Sequence, residues 1–278
     1  MTGELVDADW LAAHLGEVVV VDVRWSPTDG TVAAEQAFAG GHIPGAVFFD
    51  LDRDLAGRPF VDGPGRHPLA SPAAFTAVLG AAGIGDDDTV VAYDDVRGSV
   101  AARLWWMLDV TGRRAALLNG GLAAWAGPLE TGTVFTRPRA DPQVRPWPEA
   151  RIATADDVPE AIDRGASVLD ARAGERFRGE IEPIDPVSGH IPGGRSAPWA
   201  DNLDDGGRFR SPDALREGYR ALGVGDGDEA IVYCGSGVPS CLDLLAMRFA
   251  GLPDGKLYVG SWSGWIHDRD RPVAIGDA

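Results

Sequence analysis

The stretch Val232-Tyr233-Cys234-Gly235-Ser236-Gly237-Val238-Pro239-Ser240-Cys241 joins a predicted strand to a predicted helix through a glycine-spaced loop. Ala230 to Tyr233 has the β-rich pattern of a short buried strand, and apolar residues recur after the loop at helical spacing. Gly235 and Gly237 allow a tight turn whose backbone N–H groups converge on Cys234. With the N-terminal end of the helix, these N–H groups stabilise a negatively charged sulfur. The stretch predicts a nucleophilic cysteine, with a buried structural cysteine as the alternative.

The chain contains two related halves. Val19-Val20-Val21-Asp22-Val23-Arg24 returns as Ser167-Val168-Leu169-Asp170-Ala171-Arg172, and Gly41-His42-Ile43-Pro44-Gly45 returns as Gly189-His190-Ile191-Pro192-Gly193. Further along, Val91-Ala92-Tyr93-Asp94 matches Ile231-Val232-Tyr233-Cys234, and the segment ending at Trp125 matches the one ending at Trp265. A period of this length indicates a duplicated domain rather than a solenoid.

We therefore expect two domains, at residues 1–127 and 151–278, joined by a linker at 128–150 that is rich in proline and poor in apolar periodicity. Within each half, short β-rich runs alternate with helical stretches such as 73–79 and 103–108. This alternation predicts the α/β class, with a mainly parallel sheet flanked by helices in each domain. Ligands of such sheets bind beyond the carboxyl ends of the strands, which is where Cys234 falls.

Composition narrows the function classes. With 25 basic and 42 acidic residues among 278, the net charge of −17 argues against nucleic acid and anionic membranes as partners. No apolar run is long enough to span a membrane, and the N-terminus lacks the pattern of a secretory signal, so we expect a cytoplasmic protein. Two cysteines and five scattered histidines form neither a disulfide framework nor a metal-ligand cluster.

At this point the chain resembles the two-domain rhodanese-like sulfurtransferases, over nearly its whole length. The resemblance rests on Asp-x-Arg followed by Gly-His-Ile-Pro-Gly in each half, on the Asn119-Gly120-Gly121 to Trp125 segment, and on Cys234 in the second half alone. It implies two tandem rhodanese-like domains and no metal or organic cofactor. It also implies sulfur transfer from a small anionic donor, through a Cys234 persulfide, to cyanide or a reduced thiol such as thioredoxin. The N-terminal copy is usually inactive in this family, and here Asp94 stands in the place of the cysteine.

The loop sequence Cys-Gly-Ser-Gly-Val is similar to that of the 3-mercaptopyruvate sulfurtransferases, whereas thiosulfate sulfurtransferases tend to carry Arg and Lys there. The loop of this chain has no charge. A compact dianion such as thiosulfate gains from fixed cations beside the thiolate, so the loop favours mercaptopyruvate. One departure keeps thiosulfate open as an alternative: Asp185, in Glu182-Pro183-Ile184-Asp185-Pro186, stands where the mercaptopyruvate branch has a second arginine.

The resemblance also assigns roles to further residues. Arg176 matches the arginine that binds the donor carboxylate, and Arg178 is a candidate for the missing second arginine. Gly235, Gly237 and Val238 supply the loop that receives the donor. Ser236, His67 and Asp52 match a Ser-His-Asp proton relay that the family assembles. A surface arginine and a solvent-facing histidine are the structural alternatives for Arg176 and His67. Because both halves carry His42 and His190, we expect these two to be packing residues.

Two other functional classes are alternatives to a sulfurtransferase. A cysteine phosphatase on the same fold needs an arginine six residues after the nucleophile to bind phosphate, and Ser240 occupies that place. A non-catalytic sulfur-carrier module is the second alternative, and turnover of a small donor would separate it from an enzyme. Cys241 is either part of the helix core or a secondary thiol able to trap an oxidised Cys234.

Overall fold

The computed structural model describes residues 3–25, 30–57, 65–132, 137–225 and 229–277. The chain divides into two compact units that follow the two halves of the sequence except at two short segments. The first unit comprises Met1–Gly57, Leu69–Trp147 and Gly206–Arg208, and the second comprises Arg58–Pro68, Pro148–Asp205 and Phe209–Ala278. The segment that contains His67 therefore belongs to the second unit, although it lies in the first half of the sequence.

Each unit is built on a five-stranded sheet in which all paired strands are parallel. The strands of the first unit are β1 (Leu5–Val6), β2 (Val19–Asp22), β3 (Val47–Phe48), β4 (Thr89–Tyr93) and β5 (Arg114–Leu118). Those of the second unit are β6 (Ile152–Ala153), β7 (Ser167–Asp170), β8 (Arg195–Ser196), β9 (Ala230–Tyr233) and β10 (Lys256–Tyr258). The orders are β1-β5-β4-β2-β3 and β6-β10-β9-β7-β8, so the same topology occurs twice and confirms the predicted α/β class.

Helices connect the strands of both units. The first unit contains α1 (Ala8–His14), α2 (Gly30–Gly40), α3 (Pro72–Ala81) and α4 (Ala101–Val110), with a π-helical turn at Leu51–Leu55 and a 3-10 turn at Gly121–Ala124. The second contains α5 (Asp157–Asp163), α6 (Gly174–Phe177), α7 (Pro212–Ala221), α8 (Ser240–Phe249) and α9 (Ser261–Trp265), with 3-10 turns at Glu149–Arg151 and Trp199–Asn202. Predicted helices at 73–79 and 103–108 correspond to α3 and α4.

The Ser-Pro start of α3 and of α7 shows why the helices begin where they do. Ser71 Oγ accepts a hydrogen bond from the N–H of Ala74, and Ser211 Oγ accepts one from the N–H of Ala214. Each serine is followed by a proline in the first helical turn, where the missing N–H has no helical partner to lose. The same local signal therefore starts the same helix in both units.

The repeated Asp-x-Arg and Gly-His-Ile-Pro-Gly motifs are structural and hydrogen-bond to each other in both units. In the second unit, Arg172 binds the carboxylate of Asp170 and donates to the carbonyl oxygen of Gly189 at 2.7 Å. Arg24 makes the equivalent bonds to Asp22 and Gly41 in the first unit. Both charged groups are buried, so breaking one partner would leave an uncompensated charge in the interior.

The motif histidines pack as expected from their presence in both halves. His42 stacks on Phe38 with ring centroids 3.9 Å apart, and its Nδ1 lies 2.8 Å from the Phe38 carbonyl oxygen. His190 stacks on Phe177 at 3.7 Å and contacts the Phe177 carbonyl oxygen in the same way. Both rings are buried. These contacts account for the two histidines without a catalytic role.

The segment expected as a linker packs on the first unit. Trp147 donates from Nε1 to the carbonyl oxygen of Ala70 and packs on Phe75, while Glu130 pairs through its backbone with His42. Residues 133–136 of this segment lie outside the described ranges. A search of the described helices finds none long and apolar enough to cross a membrane.

Candidate active site

Cys234 is the first residue after β9, the central strand of the second sheet, and its side chain is 1% exposed. The backbone N–H of Gly237 donates to its sulfur at 3.1 Å, and Ser240 Oγ donates at 3.4 Å. Charge-assisted hydrogen bonds of this kind stabilise a thiolate. The predicted strand at 230–233 and the predicted loop at its carboxyl end are both present.

The conformation of the loop depends on two glycines. Gly237 has a φ of 75°, a left-handed conformation that glycine adopts without steric cost and that turns its N–H toward the sulfur. At Gly235, a Cβ would lie 2.8 Å from Nη2 of Arg66, so a larger residue there would require the Arg66 guanidinium to shift. Val238 is buried and its carbonyl oxygen accepts from the N–H of Cys241, which begins the ladder of α8. The loop is thus held closely around the sulfur.

Ser261, the first residue of α9, supports Cys234. Its Oγ accepts a hydrogen bond from the N–H of Cys234 at 3.1 Å, donates to the carbonyl oxygen of Tyr258, and lies 3.9 Å from the cysteine sulfur. Ser261 has a φ of 51°, which is costly for a residue with a Cβ. Its counterpart in the first unit is Gly121, with a φ of 60°. A strained serine is therefore kept where the other copy has glycine.

A chain of alternating charges runs from the core of the second unit to the loop. Arg172, already bound to Asp170, lies 3.3 Å from Glu182. Glu182 in turn accepts two hydrogen bonds from Arg176, at 3.1 Å and 2.7 Å. Burial acts to raise the pKa of Glu182, but the bonds from Arg176 and from the N–H groups of Asp185 and Ile184 hold it below its usual value. Arg176 is thereby fixed in orientation by a buried carboxylate.

The chain of charges ends at Asp185, which lies between two guanidinium groups. Its Oδ2 accepts from Arg176 Nη2 at 3.2 Å, and its Oδ1 pairs with Nη1 of Arg66. Arg66 is anchored by its backbone N–H, which donates to Ser263 Oγ. Both guanidiniums also approach the active loop, since a Cβ at position 235 would lie 2.8 Å from Arg66 Nη2 and 3.7 Å from Arg176 Nη1. Two cations thus lie beside the residue that follows the cysteine.

The other predicted site residues fall in different surroundings. Arg178 pairs with the exposed Glu180 and lies against Gly174, the first residue of α6. Ser236 and His67 are both buried in the second unit. Asp52 belongs to the first unit, where its Oδ2 accepts from Trp25 Nε1 at 2.8 Å. The solvent-facing alternative for His67 does not hold, because the residue is 5% exposed.

Cys241 lies on α8 with a fully buried side chain. Its sulfur donates to the carbonyl oxygen of Gly237 at 3.6 Å. Both cysteines are free thiols. The contact supports the interpretation of Cys241 as part of the helix core.

Three residues of the site escaped the sequence prediction. Arg66 comes to the loop from a distant part of the chain, and nothing in its local pattern distinguishes it from a surface arginine. In the sequence, Ser240 is informative only as the residue that excludes a phosphatase. Ser261 carried a signal, because it stands in the repeat where the first half has Gly121, and a serine at a position that needs positive φ is uncommon.

Comparison with known proteins agrees with this arrangement. The chain matches the rhodanese-like domain family twice, over residues 7–128 and 154–268. It is 45% identical over 284 residues to a Pseudomonas aeruginosa protein named "Probable 3-mercaptopyruvate sulfurtransferase", with 99% of each chain covered. Bovine thiosulfate sulfurtransferase is 34% identical over 95% of this chain and 92% of its own length. The crystal structure of SseA from Escherichia coli, described as a 3-mercaptopyruvate sulfotransferase, is similar with a TM-score of 0.80 and 34% identity, over 94% of this chain and 100% of that chain.

The repeated parallel sheets define a tandem α/β protein, and a cysteine loop follows the central strand of its second sheet. The chain belongs to the two-domain rhodanese-like sulfurtransferases.

Proposed function

We propose that the protein transfers a sulfur atom from 3-mercaptopyruvate to a thiophilic acceptor through a persulfide on Cys234. The observation that carries the proposal is the position of the Cys234 sulfur, which accepts from the N–H of Gly237 while Arg176 and Arg66 lie beside Gly235. A nucleophilic sulfur and cationic groups beside the same loop suit a donor that has a sulfur and a carboxylate some distance apart.

The first half-reaction forms the persulfide. The Cys234 thiolate attacks the thiol sulfur of 3-mercaptopyruvate, so an S–S bond forms and the C–S bond of the donor breaks. The electron pair of that bond leaves on carbon as the pyruvate enolate, which takes up a proton equivalent to the one lost from the donor thiol. The products are pyruvate and a persulfide anion on Cys234, and no external oxidant or reductant is needed.

The second half-reaction returns the enzyme to its starting state. A nucleophilic acceptor attacks the outer sulfur, the S–S bond breaks, and the electron pair returns to Cys234 as thiolate. Cyanide would leave as thiocyanate, and a thiol such as that of thioredoxin would leave as a persulfide. The loop N–H groups that stabilise the thiolate also favour it as the leaving group. We place this chemistry in the cytoplasm, where thiol acceptors are kept reduced.

Roles for the remaining predicted residues follow from the proposal. Arg176 binds the donor carboxylate, the loop of Gly235, Gly237 and Val238 receives the transferred sulfur, and the first domain is a catalytically inactive copy. Ser236, His67 and Asp52 form the proton relay that serves the enolate. Arg66 and Arg178 are the two candidates for a second arginine, and we favour Arg66 because it approaches Gly235 whereas Arg178 pairs with Glu180.

The relatives include proteins named for mercaptopyruvate and for thiosulfate, so thiosulfate is the second candidate donor. Arg66 and Arg176 beside the loop are the feature that favours it, because fixed cations stabilise a dianion. Two buried carboxylates, Glu182 and Asp185, oppose that effect. We therefore keep mercaptopyruvate as the proposed donor.

The test combines mass spectrometry with kinetics. After incubation with 3-mercaptopyruvate and removal of the donor, the protein should be heavier by one sulfur, with the adduct on the peptide that contains Cys234. The Cys234→Ser variant should take up none, whereas Cys241→Ala should take up sulfur like the parent. An adduct on Cys241, or full turnover by Cys234→Ser, would falsify the nucleophile assignment.

Measurement of kcat/KM for both donors side by side then identifies the substrate. A higher value for mercaptopyruvate supports the proposal, and a higher value for thiosulfate replaces it with the second candidate. A protein that carries sulfur on Cys234 but turns over neither donor would be a sulfur-carrier module.

A further inference from the structure

Asp185 occupies an unusual position for a carboxylate in a site that receives anions. It is bound on one oxygen by Arg66 and on the other by Arg176, and its side chain is only 3% exposed. The other terminal nitrogen of Arg66, Nη2, lies 2.8 Å from the Cβ position of residue 235, and Nη2 and Nη1 of Arg176 lie 3.6 Å and 3.7 Å from it. Asp185 therefore pairs with the same two guanidiniums that approach the cysteine loop.

The charges of this cluster cancel. Arg66 and Arg176 contribute two positive charges, and Glu182 and Asp185 contribute two negative charges within hydrogen-bond distance of them. Burial raises the pKa of Asp185, and the two guanidiniums act against that rise. A donor anion therefore approaches a pair of guanidiniums whose charge is already balanced by fixed carboxylates.

The cluster is also accessible from solvent. Arg66 and Asp185 line a cavity of about 610 Å³ together with Ser263 and His267. The backbone N–H of Ser263 donates to the carbonyl oxygen of Gly235, so this cavity adjoins the loop that holds Cys234.

We propose that Asp185 is a specificity-determining counter-ion, which reduces the positive charge of the Arg66–Arg176 pair so that the site selects a singly charged 2-oxo acid donor over a dianion such as thiosulfate. This inference rests on the proposed function, because it names what selects the donor of that same site. Asp185 does not contact the reacting sulfur. It acts through the two guanidiniums that face the loop.

Coulomb's law gives the proposal a quantitative form. The interaction energy of a fixed charge with a ligand is proportional to the charge of the ligand. If the loss of the Asp185 charge raises the reactivity of a monoanion by some factor, it should raise that of a dianion by about the square of that factor and leave a neutral reagent unchanged. A role limited to holding the arginines in place predicts instead that all anions react more slowly when Asp185 is replaced.

The decisive variant is Asp185→Asn, which removes the charge and keeps the shape. Glu180→Gln is the matched control. It removes a carboxylate from the same segment of the chain, but this carboxylate is exposed and pairs with Arg178. Asp185→Glu retains the charge and serves as a second comparison. For each protein, the rate of Cys234 alkylation is measured with neutral iodoacetamide and with anionic iodoacetate, and kcat/KM is measured for 3-mercaptopyruvate and thiosulfate.

In Asp185→Asn we expect the ratio of the iodoacetate rate to the iodoacetamide rate to rise about tenfold, the lower end of what one bond to a charged group contributes. We expect kcat/KM for thiosulfate to rise by about the square of that factor. Glu180→Gln should change each quantity less than about twofold, because exposed charges are screened by salt. Asp185→Glu should keep the donor preference of the parent.

The inference is overturned if Asp185→Asn lowers the alkylation rate with iodoacetate and kcat/KM for the anionic donors while iodoacetamide reacts at the parental rate. Asp185 would then only position the arginines. It is also overturned if the effect is the same for neutral and anionic reagents. The alkylation ratio does not depend on the natural donor. If the parent prefers thiosulfate, the proposed function fails, whereas the charge dependence in Asp185→Asn still decides the role of Asp185.

Discussion

Asp94 in the first unit and Cys234 in the second hold the same place, each directly after the central strand of its sheet. The carboxylate of Asp94 accepts four backbone hydrogen bonds at 2.7 to 2.9 Å from its own loop, including those from Gly98 and Ala101. The backbone repeats as well, because Leu122 N–H donates to the Asp94 carbonyl oxygen as Trp262 N–H donates to that of Cys234. One loop holds a carboxylate and the other holds a sulfur at the same position.

The match between the Asp94 loop and the Cys234 loop indicates which groups the Cys234 loop can accommodate. Burial raises the pKa of Asp94, and the N–H groups of its loop act against that rise by favouring the charged form. A persulfide adds one atom beyond the sulfur of Cys234 and so resembles the longer carboxylate side chain in reach. The first copy therefore supports the proposal that loop N–H groups of the second copy stabilise the outer sulfur of the persulfide.

The first prediction concerns Arg176, whose guanidinium faces the loop. Replacement by alanine should lower kcat/KM for mercaptopyruvate by about 10- to 150-fold, because charge-assisted hydrogen bonds contribute roughly 1.5–3 kcal/mol. Arg176→Glu should be worse. Arg164→Ala is the control, since Arg164 pairs with Glu160 and Glu229 at the surface. The measurement is steady-state kinetics. If Arg176→Glu behaves like the parent, or if Arg178→Ala shows the larger loss, the donor carboxylate does not bind at Arg176.

The second prediction separates strain from hydrogen bonding at Ser261. Ser261→Ala keeps the positive φ and loses the bonds to Cys234 N–H and Tyr258, so the free energy of unfolding should fall by about 1–3 kcal/mol. Ser261→Gly loses the same bonds but relieves the strain, as Gly121 does in the other copy. The glycine variant should therefore be more stable than the alanine variant by about 1 kcal/mol in urea unfolding.

Both Ser261 variants should transfer sulfur more slowly than the parent, because the hydroxyl that holds the Cys234 backbone is absent. If the glycine variant is both as stable and as active as the parent, Ser261 has no role in positioning the cysteine. If the glycine variant is less stable than the alanine variant, the positive φ of Ser261 does not strain the backbone.

The third prediction concerns Asp243, a fully buried carboxyl on α8 that accepts hydrogen bonds from Asn202 and Tyr219. Burial raises the pKa of Asp243 from 3.8 to about 8. A raised pKa means that the folded state holds a proton that the unfolded chain has lost. The stability that this group provides is therefore fully present below pH 3.8 and is lost as the pH rises through about 8.

Asp243→Asn should remove this pH dependence, with a change in slope of at most about 1.4 kcal/mol per pH unit between those values. The measurement is the free energy of unfolding of parent and variant across that pH range, so that contributions from all other groups cancel in the difference. Asp213→Asn, at an exposed position of α7, should leave the slope of the parent unchanged. Parallel curves for the parent and Asp243→Asn would show that Asp243 is ionised throughout.

The sequence repeat and its local motifs explain which parts of the fold and of the site can be predicted from the sequence. The two parallel sheets and Cys234 could be predicted because strand patterns, glycines and duplicated motifs are local in sequence. The ion pair of Arg66 with Asp185 joins residues 119 positions apart, and only the folded chain brings them together. The acid at 185 was visible as a departure, but the sequence did not show that it binds two arginines. The sequence also placed Arg178 at the site, because its spacing from Arg176 does not reveal its pairing with Glu180.

The last prediction concerns the proton relay proposed for Ser236, His67 and Asp52. When Cys234 takes sulfur from mercaptopyruvate, the donor thiol proton must leave and the pyruvate enolate must gain a proton. Thiosulfate releases sulfite, a stable anion that needs none. General acid–base catalysis is typically worth about 10²- to 10⁴-fold. His67→Ala and Ser236→Ala should each lower mercaptopyruvate turnover by an amount in that range and change any thiosulfate turnover much less.

Asp52→Asn should affect the same donor, because Asp52 is proposed to hold the imidazole in the useful tautomer. His14→Ala is the matched control: this histidine lies on α1 of the first unit and bonds to the Trp10 carbonyl oxygen. Single-turnover rates with each donor distinguish the outcomes. Equal losses with both donors would indicate damage to the loop rather than loss of a proton path. Parental rates with mercaptopyruvate in His67→Ala would leave the buried imidazole as a packing residue and remove the relay from the mechanism.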